Sequence, residues 1–159
     1  MLASRTFAGA LLALTIALAP AGTALAETAH GHGASGAPLE LVLDNGSKWQ
    51  TDDPLRAGMS AIRTALEGSL PAVHDGKFAA QDYADLARNL EKEVDGIVTN
   101  CKLPEAADGQ LHIILTQLLD GTGIMKNAAE QASGVVKIVE AVNAYGEHFD
   151  HPGWQKLPL

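Results

Sequence analysis

From residue 51 onward, apolar residues recur at intervals of three and four, the spacing that lays a single stripe down an α-helix. The first such stretch carries Leu55, Met59, Ile62, Leu66, Leu70 and Val73. Thr51, Asp52 and Asp53 offer caps for its start and Pro54 suits a first helical turn, while His74-Asp75-Gly76 ends it. Pro71 is placed to kink its last turn. A second stripe, Tyr83, Leu86, Leu90, Val94, Ile97 and Cys101, predicts a helix from about Ala79 to Asn100, closed by Lys102-Leu103-Pro104. The third begins near Pro104, with Glu105 and Asp108 at the positive end of the helix dipole, and carries Leu111, Ile114, Leu115, Leu118, Thr122 and Met125. Gly121 and Gly123 weaken its middle as helix and invite a kink or a close backbone approach. The fourth starts near Gln131, carries Val135, Ile138, Val139, Val142, Tyr145 and Phe149, and ends before Pro152.

Four amphipathic helices joined by short links imply an all-α fold, an antiparallel up-down-up-down four-helix bundle. Ahead of them, Leu39 to Leu43 is a short apolar run stopped by the turn signal Asp44-Asn45-Gly46. A lone strand has no partner, so this run is expected to lie against the bundle as coil.

The N-terminus has a different pattern. Arg5 precedes an apolar, small-residue run from Ala8 to Pro20, followed by Ala24-Leu25-Ala26. Charge, hydrophobic stretch and A-x-A site in that order read as a secretory signal peptide cleaved after Ala26. The run is too short and too rich in alanine for a membrane anchor. The chain therefore divides into a signal peptide (1–26), a flexible N-terminal arm and lead-in (27–51), the bundle (52–151) and a C-terminal tail (152–159). The expected location is periplasmic or secreted, with no membrane span after signal removal.

The chain holds 11 basic and 19 acidic residues. Losing Arg5 with the signal leaves ten basic residues against 19, a formal charge of −9. Such an acidic protein has no general attraction for nucleic acid or anionic lipid. Cys101 is the only cysteine, which excludes an internal disulfide and the C-x-x-C-H haem attachment signal. A phosphate-binding glycine loop, H-E-x-x-H and a nucleophile elbow are all missing, so an enzyme is the less favoured class.

Bundle connectivity brings the start of the first helix, the end of the second, the start of the third and the end of the fourth to one pole. Met59, Cys101, His112 and His148 would thus converge there from four helices, with His151 just beyond. Thioether, thiolate and imidazole groups suit a soft or borderline ion, copper above all. Each also has a plainer reading: Met59 as core filling, Cys101 as a small hydrophobe, the histidines as boundary residues. His74 falls at the opposite pole. His30 and His32 form an H-G-H pair in the arm, open to weak metal binding.

Over about residues 52 to 151 the chain also resembles the periplasmic four-helix bundle cytochromes, especially the cytochrome b562 family. The likeness rests on Met59 early in the first helix and on Asn143-Ala144-Tyr145, Glu147 and His148-Phe149 in the last. It implies non-covalent haem b held between Met59 and a closing-helix histidine, for electron transport. The family places that histidine directly after the tyrosine, where this chain has Gly146. His148 stands two residues later, about 200° round an ideal helix.

Three functions follow. One is an exported, non-enzymatic protein that sequesters or transfers copper through Cys101, His112 and His148, completed by Met59 or His151. Its partners would be a transition-metal ion and a periplasmic redox or metal-transfer protein. The second is a haem b electron carrier using Met59 and His148. The third is a metal-free structural or interaction bundle, with a homodimer through its helix faces left open.

Overall fold

The computed structural model of the protein describes residues 40–159. The expected signal peptide and residues 27–39 of the expected arm, with His30 and His32, lie outside the described residues. The described residues form four helices: α1 (Asp53–His74), α2 (Ala80–Asn100), α3 (Glu105–Met125) and α4 (Gln131–His148). Consecutive helices pack against one another and α1 touches α4 more thinly, the pattern of an up-down-up-down bundle. None of these helices is long and apolar enough to cross a membrane.

The stripes read from the sequence are the core. Leu55, Met59, Ile62 and Leu66 of α1 are completely buried, as are Ile114 of α3 and Ile138, Val142 and Tyr145 of α4. Leu90, Val94 and Ile97 of α2 close the same interior. Asp52 caps α1 by accepting the Leu55 N–H at 2.9 Å, and its other oxygen accepts the Lys102 N–H at 2.6 Å. One carboxylate thereby ties the start of α1 to the link after α2. The α1 helix runs through Pro71 to His74.

The tightest packing joins α3 to α4. A Cβ on Gly121 would lie 2.3 Å from Ile138 Cγ1, and one on Gly134 would lie 2.6 Å from the Gly121 carbonyl oxygen. Gly121 thus serves the close approach that its sequence suggested, with Gly134 as its counterpart. Gly123 faces open space.

Glu40–Leu43 is coil, and Asp44 to Ser47 is a tight turn with Asn45 and Gly46 at φ 48° and 87°. Both central residues at positive φ define a type I′ turn. Trp49 then pairs with the chain leaving α4: its N–H donates to His148 O, and its carbonyl accepts the Asp150 N–H, both at 2.8 Å.

Beyond α4 the chain turns back at Gly153 (φ 78°). His151 approaches Ser60 of α1, and Arg63 Nε donates to the Gln155 carbonyl at 2.8 Å. Asn143 of α4 holds Leu157 by both main-chain groups, accepting its N–H at 2.8 Å and donating to its carbonyl at 3.0 Å. Pro158 and Leu159 reach Leu70 and Val73 near the end of α1. From Ser60 to Val73 is about 20 Å at 1.5 Å per helical residue, a span the closing segment follows. It fills the seam where α1 and α4 meet only thinly.

Candidate functional site

The pole singled out by connectivity is built from the ends of α1, α2 and α4 and the two flanking segments. Tyr145 is completely buried at its centre. Phe149 stacks on it at 5.2 Å, and Trp154 meets it edge-on at 4.9 Å. Its hydroxyl lies 3.0 Å from His151 Nδ1, and the other ring nitrogen of His151 lies 3.3 Å from Ser60 Oγ. Burial pushes the Tyr145 phenol well above its usual range. Burial, together with the Arg56 charge, holds His151 below the usual imidazole value.

Cys101 is half-buried at the C-cap of α2, in extended backbone (φ −67°, ψ 141°). Its thiol lies beside the Asp52 carboxylate. Burial first, and then the neighbouring Asp52 charge, push its pKa up to about 12. The free thiol is therefore protonated at neutral pH.

The other expected ligands point elsewhere. Met59 is wholly enclosed in the core. His112 lies on the exposed face of α3, with Nδ1 2.9 Å from the Asp108 carbonyl one turn back and 3.3 Å from the same residue's carboxylate. His148 is half-buried, and its Nδ1 likewise donates to its own helix, at the Ala144 carbonyl 2.8 Å away. Only His151 reaches the centre of the pole, where it bonds Tyr145 rather than Cys101.

Copper as cofactor, and a transition-metal ion as partner, are corrected accordingly. Among the described residues there is no group of three or more His, Cys, Asp or Glu side chains that could hold a metal ion. Connectivity fixes which helix ends share a pole, but not which way each side chain turns. The metal-transfer partner loses its basis with the ion.

Haem b as the alternative cofactor is corrected with it. Where the cytochrome b562 family has its histidine, Gly146 forms the floor under the Trp154 indole, and a Cβ there would lie 2.1 Å from Cδ1 of that ring. Tyr145, Phe149 and Trp154 fill the end of the bundle that a macrocycle would need. The resemblance extends to the all-α four-helix architecture. The chain matches no protein-family model, no curated protein and no solved structure in these comparisons.

What the sequence reading passed over is the α1–α4 seam. Its polar contacts address the main chain of the closing segment: Arg63 reads one carbonyl, and Asn143 reads an N–H and a carbonyl. Its apolar contacts seat Trp154 over Gly146 and bury Leu157, 4 % exposed. A glycine in the last turns of a helix, followed by a Pro-Gly turn and a tryptophan, was the available signal.

Proposed function

We propose that this chain is an exported, non-catalytic helical-bundle interaction module whose binding surface is the α1–α4 seam. The observation that carries the reading is the way the seam holds residues 154–157. Recognition through main-chain N–H and carbonyl groups, with pockets for selected side chains, is how proteins take extended peptides. Here the chain's own segment occupies that site in cis.

The chemistry of the pole supports a binding role over catalysis. The Tyr145 hydroxyl and the His151 imidazole are engaged in contacts that close the pole. Export is supported by the order of Arg5, the Ala8–Pro20 run and Ala24-Leu25-Ala26. A periplasmic or extracellular setting follows.

The test is titration of the isotope-labelled mature chain with a synthetic peptide copying residues 150–159, followed by NMR. A tethered segment has a local concentration of order millimolar, so the free peptide should compete at millimolar levels. The Asn143 side-chain amide and the Trp154 indole signals should shift saturably, and Asn143→Ala should weaken the response. Unmoved resonances at these sites would overturn the reading.

A further inference from the structure

One side chain of the closing segment bridges both helices of the seam at the pole. His151 Nδ1 lies 3.0 Å from the Tyr145 hydroxyl on α4, and Nε2 lies 3.3 Å from Ser60 Oγ on α1. Tyr145 is completely buried, and its hydroxyl has no other hydrogen-bond partner among the described residues. A phenol hydrogen enclosed in this way needs an acceptor, and an unprotonated Nδ1 supplies one. The closed pole therefore selects the neutral imidazole with its hydrogen on Nε2, which donates to Ser60. A second proton makes both ring nitrogens donors. Tyr145 can then only accept from Nδ1, and its own hydrogen is left unpaired in the core, a loss of about fivefold to a hundredfold in the equilibrium. The charges around the ring do not make this good. Arg56 on α1 disfavours a second cation, while Asp150 beside it in the chain favours one. Arg63 and Glu67, farther along α1, pair with each other, and Lys48 of the lead-in donates to the Gly146 carbonyl. Asp52 and Cys101 lie on the Tyr145 side, where the Leu55 and Lys102 N–H groups hold the carboxylate.

We propose that Tyr145, His151 and Ser60 form a proton-operated latch: protonation of His151 releases the closing segment from His151 onward and opens the α1–α4 seam. The hinge is fixed by the chain's own bonds. The Asp150 N–H donates to the Trp49 carbonyl, and its carbonyl accepts from the Thr51 hydroxyl, so the part free to swing starts at His151. The Trp154 N–H donates to the His151 carbonyl at 3.0 Å, which makes residues 151–154 move as one turn. Because His151 and Trp154 both cover the Tyr145 ring, the swing brings water to its hydroxyl. His151 also borders a polar cleft of about 400 Å³ shared with Ser60 and Thr64, through which solvent reaches the imidazole. In the closed form the imidazole titrates below its usual value, and in the opened form at the ordinary 6.5. The closed-to-open ratio is thus constant above 6.5, falls by at most about tenfold per pH unit as pH drops to the closed value, and is constant again below it. The opening stands on the geometry of the pole alone; that a partner then takes the freed seam rests on the reading above.

Native-state hydrogen exchange on the full mature chain reads the opening at the Leu157 amide, whose acceptor, the Asn143 side chain, does not titrate. Its protection, corrected for the intrinsic exchange rate, should fall about fivefold or more between pH 8 and pH 5. Nitrogen NMR of the His151 ring should show the hydrogen on Nε2 at pH 8. His151→Gln keeps one donor and one acceptor without a titrating group and should flatten the profile. Tyr145→Phe leaves no hydroxyl to orphan and should shrink it. Protection at residue 157 that is independent of pH, a ring hydrogen on Nδ1 at pH 8, or a profile equally steep in Tyr145→Phe would each overturn the latch. A fall that persists in His151→Gln would belong to another group and overturn it too. If the profile appears as expected but the peptide copying residues 150–159 moves no resonance at either pH, the latch stands and the seam as a binding surface falls.

Discussion

Leu157→Ala tests whether the closing segment belongs to the fold. Leu157 is 4 % exposed, belongs to the same apolar cluster as the helices, and has both main-chain groups held by Asn143. Truncating a buried leucine costs about 2–5 kcal/mol, depending on how far the surroundings can settle into the space. This leucine sits on a strap at the rim of the core, which can settle more readily than a helix, so the low end applies, about 2–3 kcal/mol. For a domain of this size that lowers the melting temperature by about 8–12 °C. Calorimetry gives the melting point, and native-state hydrogen exchange at the Leu157 amide shows whether the strap opens by itself. If it does, protection at residue 157 is set by that local opening and lies below that of the α3 and α4 amides, which exchange through global unfolding. An unchanged melting point together with unchanged exchange at residue 157 would refute the claim that the segment is docked.

Gly146→Ala should displace the Trp154 indole, seen as a red shift in its emission. Overpacking of about 1–3 kcal/mol is offset in part by the better helix former, about 1 kcal/mol. Asp52→Asn should lower the Cys101 pKa from about 12 and speed its alkylation by iodoacetamide at pH 8, because the adjacent negative charge is lost while burial remains. Equal rates would show that the carboxylate does not act on the thiol. Because folding lowers the His151 pKa, its neutral form favours the folded state. Its contribution is intact above the ordinary value of 6.5, declines as pH falls through the lowered folded value, and then levels off. Denaturant melts from pH 8 to 4 should show that loss, and His151→Gln should remove it. At Asp52, burial opposes ionisation, but the Lys102 and Leu55 N–H groups, the Cys101 thiol and Arg56 outweigh it and lower its pKa. Its contribution therefore persists above the ordinary 3.8 and is lost as pH falls through its lowered folded value, a step that Asp52→Ala should erase.

The helices were legible because burial of a stripe leaves a period of three to four residues, and Tyr83 to Ile97 or Val135 to Tyr145 can satisfy no other arrangement so well. The caps at Asp52 and the turn at Asn45-Gly46 were legible for similarly local reasons. The site was not. Cys101 continued the α2 stripe by count, yet its backbone leaves the helix at that residue and carries the thiol to Asp52. His112 met the pole by connectivity but faces solvent, since a helix end fixes height along the bundle and not direction around it. The extended segment from Trp154 to Leu159 has no period to betray it. Its partners, Arg63 and Asn143, lie 92 and 14 residues away in the chain from the groups they bind.

The glycine contact between α3 and α4 also bears on the order in which the chain can fold. These two helices adjoin in sequence, pack most closely, and close only a short link, so their hairpin can form early at little entropic cost. Seating the strap between α1 and α4 joins residues some ninety positions apart and must wait for both ends. Until that strap docks, α1 and α4 lack the side-chain bonds that join them, so the seam is the last part of the bundle to close.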